Sequence, residues 1–467
     1  MNIQLCRHPW RCCRFVLTCA IIFCCSHVHA QTLSLYNAVS QTISNYPLLQ
    51  QRISEVAASQ SHITTVNDRR LPSLILQDQV TAGTNNSVNG SYFPLGIVPS
   101  TSGGIAGAEN SSVNTGNLAI SYLQWEFYNF GYYNARTKEA RSGLELSKSK
   151  LARDQYILTQ HIVSLYLDWL KKYRLLAIEQ QNVSRATTIL NAIRATVGSG
   201  LKPGVDSTTA KAYYSDARIA YLQALKDYNN DRIAVAVYTA AKADNLSPDT
   251  SIVNNLSPDG DTSALKSVPA VHPMLDVYNK QYEQQLAANN VTVKQYLPKV
   301  GFEGAAWMRG SSISSTDNYS DNLNKGLPYT RYNYLLGISL TYNLTGLKYR
   351  RDELAEGRHR LAAAQSALQT EQLDLNSQLQ QANADAVIAT EKLKELPSQL
   401  DAAGQAYHQQ MALYTNGLNT LIDVTNAQYV LRQAETNYVL AQDELLQLQF
   451  LKAGLTDQLE SFLKQYK

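Results

Sequence analysis

Cysteine is missing from most of this chain, because all six cysteines lie within the first 25 residues. The rest of the chain can form no disulfide, so packing alone must hold it together. Long apolar runs are missing as well, since no segment after residue 30 holds 18 uninterrupted apolar residues. A hydrophobic transmembrane helix is therefore excluded in that part, and any membrane contact there must be made through β-strands.

An excess of charge of either sign is also missing. The first 30 residues hold three arginines and no acid, which leaves 38 basic and 38 acidic residues in the remainder. A net charge of zero after residue 30 gives no excess of basic residues for binding nucleic acid. The sequence also has no basic amphipathic helix suited to anionic membranes. We therefore expect no nucleic-acid partner.

Sequence motifs of enzyme sites are missing too. The glycine-rich segment 198–204 lacks the preceding strand that a dinucleotide site needs, and there is neither a P-loop nor a G-x-S-x-G motif. The histidines after residue 30 are not spaced as a metal pair on one helix face: His62, His161, His272, His359 and His408. We therefore expect no enzymatic activity, no cofactor and no metal site.

The N-terminal segment has the order of a secretory signal peptide. Arginines precede the apolar run 15–25, and Val28-His29-Ala30 places small or apolar residues at the −3 and −1 positions of a cleavage site. We predict that residues 1–30 are removed. Lipid anchoring is disfavoured, because neither Cys24 nor Cys25 follows a small residue.

What the sequence does contain is a long internal repeat. Gly200-Leu201 recurs 217 residues later as Gly417-Leu418, and apolar positions recur at the same shift. The aligned apolar pairs are Leu144 and Leu361, Leu151 and Leu368, Leu158 and Leu375, Ile162 and Leu379, Leu176 and Leu393, Val183 and Leu400. A period of about half the chain indicates one large duplicated unit rather than a solenoid. We predict repeats at 31–243 and 272–467, joined by a linker at 244–271.

Each half is predicted to contain the same series of elements. A helix (34–70 or 274–296) precedes two strands, a long helix (131–196 or 347–415), a tight turn and a return helix (206–242 or 423–462). Each long helix would extend about 100 Å at 1.5 Å per residue. Only the second contains a proline, Pro397, at which we expect a kink.

Hydrophobic periodicity separates the helices from the strands. Apolar residues of the second long helix follow one another at steps of four and three, which indicates coiled-coil packing: Leu375, Leu379, Ala382, Ala386, Ala389, Leu393, Leu396 and Leu400. The strands alternate at every second residue, with Tyr334, Leu336 and Ile338 on one side and Gly337 and Ser339 on the other. This alternation is typical both of a transmembrane β-barrel and of a half-buried antiparallel sheet.

Four strands per chain cannot form a closed barrel, since about eight are needed before the interior accommodates side chains. An open sheet in lipid would leave the backbone groups at its edges unpaired. In a membrane, closure must therefore come from further copies of the chain. Three copies would give about 12 strands in a cyclic assembly.

The ordered motifs of both halves resemble the TolC-like outer-membrane efflux family. Tyr46-Pro47 opens the first half, and Leu71-Pro72-Ser73 precedes its first strand. Segment 125–131 matches the strand-to-helix joint of the family, and segment 414–424 matches a helical hairpin turn and the helix after it. The resemblance covers nearly all of the chain after residue 30.

This resemblance implies a mixed α and β membrane protein, a trimeric channel-tunnel. A 12-stranded β-barrel with four strands per chain would be continued by a long α-helical coiled-coil barrel. The implied partners are two further copies of the chain, outer-membrane lipid, a periplasmic adaptor (membrane fusion) protein and an inner-membrane pump of RND, ABC or MFS type. The implied function is a passive conduit of a tripartite efflux or type I export system, located in the outer membrane and extending into the periplasm.

The resemblance also points to residues at the hairpin turns. Gly200-Leu201 and Gly417-Leu418 match the family's adaptor contacts, although glycines at such positions also serve to end helices. The positions that match the periplasmic gate are Asp206, Tyr414, Asn419, Asp423 and Asn426.

Two of these gate positions depart from the family's pattern. Asn426 stands where the family has a second acid, and Asn419 stands where it has the arginine of a charged latch. A single ring of Asp423 would still favour cations, and a hydrogen-bonded latch remains possible. The alternative role of Asp206 and Asp423 is helix N-capping directly after a turn.

Two other classes of protein share parts of the pattern. A coiled-coil structural or adhesin-like surface protein would explain the heptads but not paired strands that recur in both halves. A diffusion porin would explain the strands but not two helices of about 100 Å.

Overall fold

The computed structural model describes residues 31–86, 108–199, 203–254, 256, 267–314, 316 and 318–466. The predicted signal peptide, residues 1–30, lies outside this part. The chain divides into two compact units, each with segments from both halves of the sequence. Of the described residues, those in 31–53, 150–276 and 369–466 form the helical unit, and those in 54–149 and 277–368 form the sheet unit.

Long α-helices account for most of the described residues. The helices are α1 Leu35–Asn45, α2 Pro47–Asp68, α3 Tyr132–Gly198, α4 Gly204–Thr239, α5 Ser251–Asn254, α6 Pro273–Gln295, α7 Gly346–Thr415, α8 Leu421–Leu455 and α9 Leu459–Lys464. The strands are β1 Gln31–Leu33, β2 Ser73–Gly83, β3 Asn114–Tyr128, β4 Leu246–Pro248, β5 Lys299–Ser311 and β6 Arg331–Thr341.

The two long helices are confirmed, with 67 residues in α3 and 70 in α7. α7 contains Pro397 in its interior, and the kink expected there stays a prediction. The chain breaks between α1 and α2 at Tyr46, whose φ of −73° and ψ of 125° are extended. A residue that precedes a proline is pushed out of the α region, so Pro47 accounts for this break.

Both return helices end earlier than the sequence predicted. α4 ends at Thr239 rather than at residue 242, because Ala240 adopts the left-handed region with φ 56° and ψ 28°. α8 ends at Leu455 rather than at residue 462, and Asp457 has a φ of 60° before α9 begins. A single residue in the left-handed region is a common way to end a helix. Such an end is hard to predict from the sequence when the residue is not glycine.

The predicted heptad stripe of α7 forms part of the core of the helical unit. Six of its residues are buried, at 0–4 % exposure: Leu375, Leu379, Ala382, Ala386, Ala389 and Leu393. Ala389 and Leu393 pack in one cluster with Ala441 and Leu445 of α8. The small alanine side chains let the two antiparallel helices approach closely, as coiled-coil packing requires.

The first residues of the predicted linker are held at the core of the helical unit by Tyr166 of α3. The Tyr166 hydroxyl donates to the carbonyl of Leu33 at 2.6 Å and accepts from the N–H of Asp249 at 2.9 Å. Next to it, β1 pairs in parallel with β4, with Leu33 opposite Pro248. Burial raises the pKa of Tyr166, so this hydroxyl stays neutral and holds both strands against α3.

A row of polar contacts joins α3 to α8 beside the apolar core. Arg185 donates to both carboxylate oxygens of Glu435, at 2.9 Å from Nη1 and 2.7 Å from Nη2. Both side chains are only 16 % exposed. Further pairs in the row are Glu179 with Arg432 at 3.1 Å and Lys171 with Asp443 at 3.0 Å. Bidentate pairing attracts the two helices and also restricts their register.

The sheet unit contains a four-stranded antiparallel sheet in the order β2-β3-β5-β6. Its register puts most of the large apolar residues of the four strands on one face, which we call the apolar face. The apolar face includes Leu74, Leu76, Val80, Ala119, Leu123, Trp125, Val300, Phe302, Ala306, Met308, Tyr332, Tyr334, Leu336, Ile338 and Leu340. The other side, which we call the mixed face, carries polar residues interspersed with a few apolar ones.

The outer strands of this sheet are exposed along their length. All residues of β2 are exposed, and only Ser339 of β6 is half-buried. Each of these strands pairs on one side only within the described part of the chain. The large apolar side chains there include Leu76 at 75 % exposure and Tyr334 at 81 %. A surface of this kind marks a region that another molecule covers.

Candidate functional site at the helical hairpin turns

The turn between α7 and α8 has the hydrogen bonds of a Schellman motif. The N–H of Gly417 donates to the carbonyl of Tyr414, and the N–H of Leu418 donates to that of Leu413, both at 3.0 Å. Gly417 has a φ of +75°, a conformation that favours glycine. The turn therefore needs this glycine in order to end α7, and it leaves the Leu418 side chain 74 % exposed.

α8 begins with a capping box formed by Thr420 and Asp423. The Thr420 hydroxyl accepts from the N–H of Asp423 at 3.4 Å, and the Asp423 carboxylate accepts from the N–H of Thr420 at 3.2 Å. Asp423 is half-buried in the first helical turn, where the helix dipole favours a negative charge. The geometry thus gives Asp423 a place in the capping box at the start of α8.

Asn419 is held by a partner that the sequence did not reveal. Its amide nitrogen donates to Oε1 of Gln410 on α7, and its Oδ1 accepts from the N–H of Thr420 at 2.8 Å. Neutral amides therefore close the hairpin at the position where the family carries an arginine. Gln410 lies nine residues before Asn419, and no short motif links them, so only the folded hairpin shows the pair.

Tyr414 and Asp206 come together in the helical unit. Tyr414 is 5 % exposed and belongs to one apolar cluster with Ala210 of α4 and with Leu421 and Val424 of α8. Burial raises the pKa of the Tyr414 hydroxyl, and the negative charge of Asp206 raises it further. The two gate residues predicted on different hairpins are thus electrostatic neighbours, and the hydroxyl stays protonated at neutral pH.

The first hairpin turn is only partly described. Gly200 and Leu201, predicted as adaptor contacts, lie outside the described residues. α4 begins directly after Pro203, whose ring cannot cap the helix with a hydrogen bond. Asp206 lies in the first turn of α4 and donates its N–H to the carbonyl of Pro203 at 3.1 Å.

Exposed apolar side chains surround these turns. Val205 is 66 % exposed, Leu418 74 % and Ile422 61 %. Asn426 lies one helical turn after Asp423 on α8 and is exposed. The site therefore combines a rigid polar turn with solvent-facing apolar groups, an arrangement that suits contact with another protein.

The described residues form no group of three or more histidine, cysteine, aspartate or glutamate side chains that could hold a metal ion. None of the described helices combines the length and apolar character needed to cross a membrane.

Comparison with protein-family models gives one match. The model for outer membrane efflux proteins matches residues 38–241 and 273–449, which together make up most of the chain. A comparison with curated protein sequences gives no significant match.

Solved structures of outer-membrane channels share the fold. The outer-membrane channel OprN matches with a TM-score of 0.70 and 16 % identity, over 90 % of this chain and 89 % of that one. The CmeC outer membrane channel of Campylobacter jejuni matches with a TM-score of 0.71 and 14 % identity, over 92 % and 89 %. The outer membrane protein VceC of Vibrio cholerae matches with a TM-score of 0.69 and 13 % identity, over 90 % and 95 %. The fold class predicted from the sequence is confirmed.

Proposed function

Because the chain belongs to the outer membrane efflux protein family and is an outer-membrane efflux channel, we propose that three copies form one conduit. The observation that carries this proposal is the four-stranded sheet, whose β2 and β6 each pair on one side only within the described residues. Pairing of β6 with β2 of the next copy would close a barrel of about 12 strands. The proposed repeats at 31–243 and 272–467 would each supply one pair of strands.

The apolar face of the sheet supports contact with outer-membrane lipid. It carries Leu336, Ile338 and Leu340 on β6, which are 64–74 % exposed in the single chain. Tyr332 and Tyr334 lie on the same face near one end of the strand, where aromatic residues suit the membrane interface. In this arrangement the mixed face lines the lumen.

The hairpin turns support contact with a periplasmic adaptor. We assign this contact to Gly200, Leu201, Gly417 and Leu418, because the second turn is rigid and presents a large apolar side chain. The adaptor would couple the channel to an inner-membrane pump of RND, ABC or MFS type, which supplies the energy for transport.

We further assign the periplasmic gate to Asp206, Tyr414, Asn419, Asp423 and Asn426. The proximity of Tyr414 to Asp206 supports a latch between the two hairpins of one chain. The Gln410–Asn419 amide pair supports a latch that is held by hydrogen bonds rather than by an arginine. Asp423 is the remaining acid that could form a charged ring in a trimer.

One experiment tests the assembly directly. The mass of the detergent-solubilised protein should correspond to three chains, and outer-membrane fractions should contain the same species. A monomer or a dimer as the sole species would contradict the proposal, because four strands cannot close a barrel and a barrel of eight has an interior that side chains fill.

A further inference from the structure

Two neighbouring rows on the mixed face of the sheet consist largely of apolar side chains. The register gives the members of each row: Ile75, Tyr122, Ala305 and Leu335 in one, and Gln77, Ile120, Trp307 and Asn333 in the next. The large apolar side chains among them, which we call the apolar band, are Ile75, Ile120, Tyr122, Trp307 and Leu335. The interior of an outer-membrane barrel is ordinarily polar, so the band departs from that pattern and suggests a use.

The apolar band is open to solvent on both outer strands. Ile75 of β2 is 53 % exposed and Leu335 of β6 is 65 % exposed in the single chain. The members of the band on β3 and β5 are half-buried. Eight strands already give a barrel whose interior side chains just fill, so about 12 strands leave an open bore. In the proposed trimer the band therefore borders water rather than a packed core.

An acid borders the apolar band on the side towards the helices. Glu303 lies on the same face of β5, two residues before Ala305, with Gln124 of β3 opposite. Its carboxylate accepts from the Ser339 hydroxyl at 3.0 Å, and it forms no ion pair with the described residues. Glu126, another acid near this end of the sheet, is instead paired with Lys299 at 3.2 Å. The negative charge of Glu303 is thus left for a solute.

The opposite border of the band is basic. Arg331 of β6 lies on the same face, three rows from Glu303. Three rows correspond to about 20 Å along a strand, whereas the Debye length at physiological salt is about 8 Å. The positive charge of Arg331 is therefore largely screened at Glu303, and a cationic group fits best at the Glu303 end of the band.

We propose that Glu303 and the apolar band form a solute site in the lumen for amphiphilic cations, molecules that join an aromatic or apolar body to a positively charged amine. The inference rests on the proposed trimeric channel, in which the mixed face lines the lumen. The carboxylate attracts the charge, the aromatic faces of Tyr122 and Trp307 attract it further, and the band covers the apolar body. The site is open to the bore, so a bound solute can leave again, as conduction requires.

Binding of propidium, a fluorescent aromatic dication, tests the site. Fluorescence anisotropy of propidium is measured with purified trimers of the unchanged protein, E303Q, I75T/L335T and E109Q. Threonine keeps a high β-propensity, so I75T/L335T removes apolar surface without weakening the strands. Glu109 is exposed and precedes β3, so E109Q removes the same charge outside the band.

We expect E303Q and I75T/L335T each to raise the Kd of propidium by about threefold or more, and E109Q to leave it unchanged. An excess of benzyltrimethylammonium should displace more propidium than an equal excess of tetramethylammonium, which has the same charge and no aromatic body. Heat-modifiable trimers on gels and conductance in planar bilayers show that each variant has assembled.

An unchanged Kd in an assembled, conducting E303Q or I75T/L335T would overturn the site. An equal loss of affinity in E109Q would overturn it as well, because the effect would then be one of net charge. Equal displacement by the two ammonium ions would exclude a contribution of the band. Failure of the unchanged protein to form any channel would contradict the proposed function instead.

Discussion

At the scale of single residues, Asp423 has two properties that separate mutations can test. Its carboxylate accepts a hydrogen bond in the capping box of α8, and it carries a negative charge. D423N removes the charge but keeps an oxygen that accepts from the N–H of Thr420, whereas T420A breaks the capping box and keeps the charge. We expect D423N to lower cation selectivity and to weaken block by multivalent cations from the periplasmic side, with little change in stability. T420A should cost about 1 kcal/mol of helix stability and leave selectivity unchanged.

Single-channel recording and thermal denaturation of the same preparations distinguish these outcomes. If D423N conducts with the selectivity of the unchanged protein, Asp423 acts only as a helix cap.

The electrostatic proximity of Tyr414 to Asp206 predicts how the proposed latch responds to mutation and to pH. We expect Y414F and D206A to raise the open fraction in bilayer recordings, because each removes one member of this pair between the hairpins. Exposed Asp216 on α4 offers a matched control, so D216A should gate like the unchanged channel.

The pH dependence follows from the raised pKa of Tyr414. The folded state favours the neutral hydroxyl, so its stabilising effect is fully present below the unfolded value of about 10 and is lost as the pH rises through the higher folded pKa. We expect the effect of Tyr414 on gating to stay constant between about pH 6 and 9, because the hydroxyl does not titrate there. Gating by Y414F that is identical to the unchanged channel at every pH would remove this residue from the latch.

Not all of the residue contacts at the turns could be predicted from the sequence. The glycine-ended turn at Gly417 and the capping position of Asp423 could be predicted, because both depend on residues within a few positions of each other. The Gln410–Asn419 pair could not, since an amide can bond many neighbours and only the path of the hairpin selects one. The resemblance named Asp206 and Tyr414 together, and the fold explains why: α4 and α7 meet through one apolar cluster.

At the scale of elements, the heptad stripe of α7 gives a sharp test of register. Leu379 is 1 % exposed, whereas the adjacent Gln380 is exposed. L379D would bury an unpaired charge, which is expected to cost several kcal/mol, while Q380D keeps its charge in solvent. We expect L379D to lose assembled protein and Q380D to keep it, as measured by thermal denaturation and by gel mobility. Equal tolerance of both changes would contradict the register.

The bounds of the long helices could be predicted better than the side-chain contacts between helices. Periodicity placed the long helices within about two residues of their observed ends, because a sustained apolar repeat is a strong signal. The row of polar contacts between α3 and α8 had no such signal, since Arg185 and Glu435 lie 250 residues apart in the sequence. The early ends of α4 and α8 were missed because alanine and aspartate adopt the left-handed region only where tertiary packing holds them there.

At the scale of the whole molecule, transport needs both an assembled channel and a docked partner. A substitution of Leu418 tests docking while leaving assembly intact. The Schellman turn fixes the backbone there, and the Leu418 side chain is 74 % exposed, so a change at this position leaves the core of the helical unit intact. We expect L418D to abolish export while trimers still reach the outer membrane, because a charge would oppose burial of this surface against an adaptor. L418M keeps an apolar side chain of similar volume, so it should export normally.

G417W extends the same test to the backbone of the turn. Gly417 has a positive φ, so a tryptophan would both strain the turn and add bulk at the docking surface. Export is measured as drug or substrate efflux in cells whose own channel gene is deleted, and conductance of the purified variants is measured in bilayers. Loss of export together with normal conductance locates the defect at the partner rather than at the conduit. Normal export by both L418D and G417W would show that the adaptor meets the channel elsewhere.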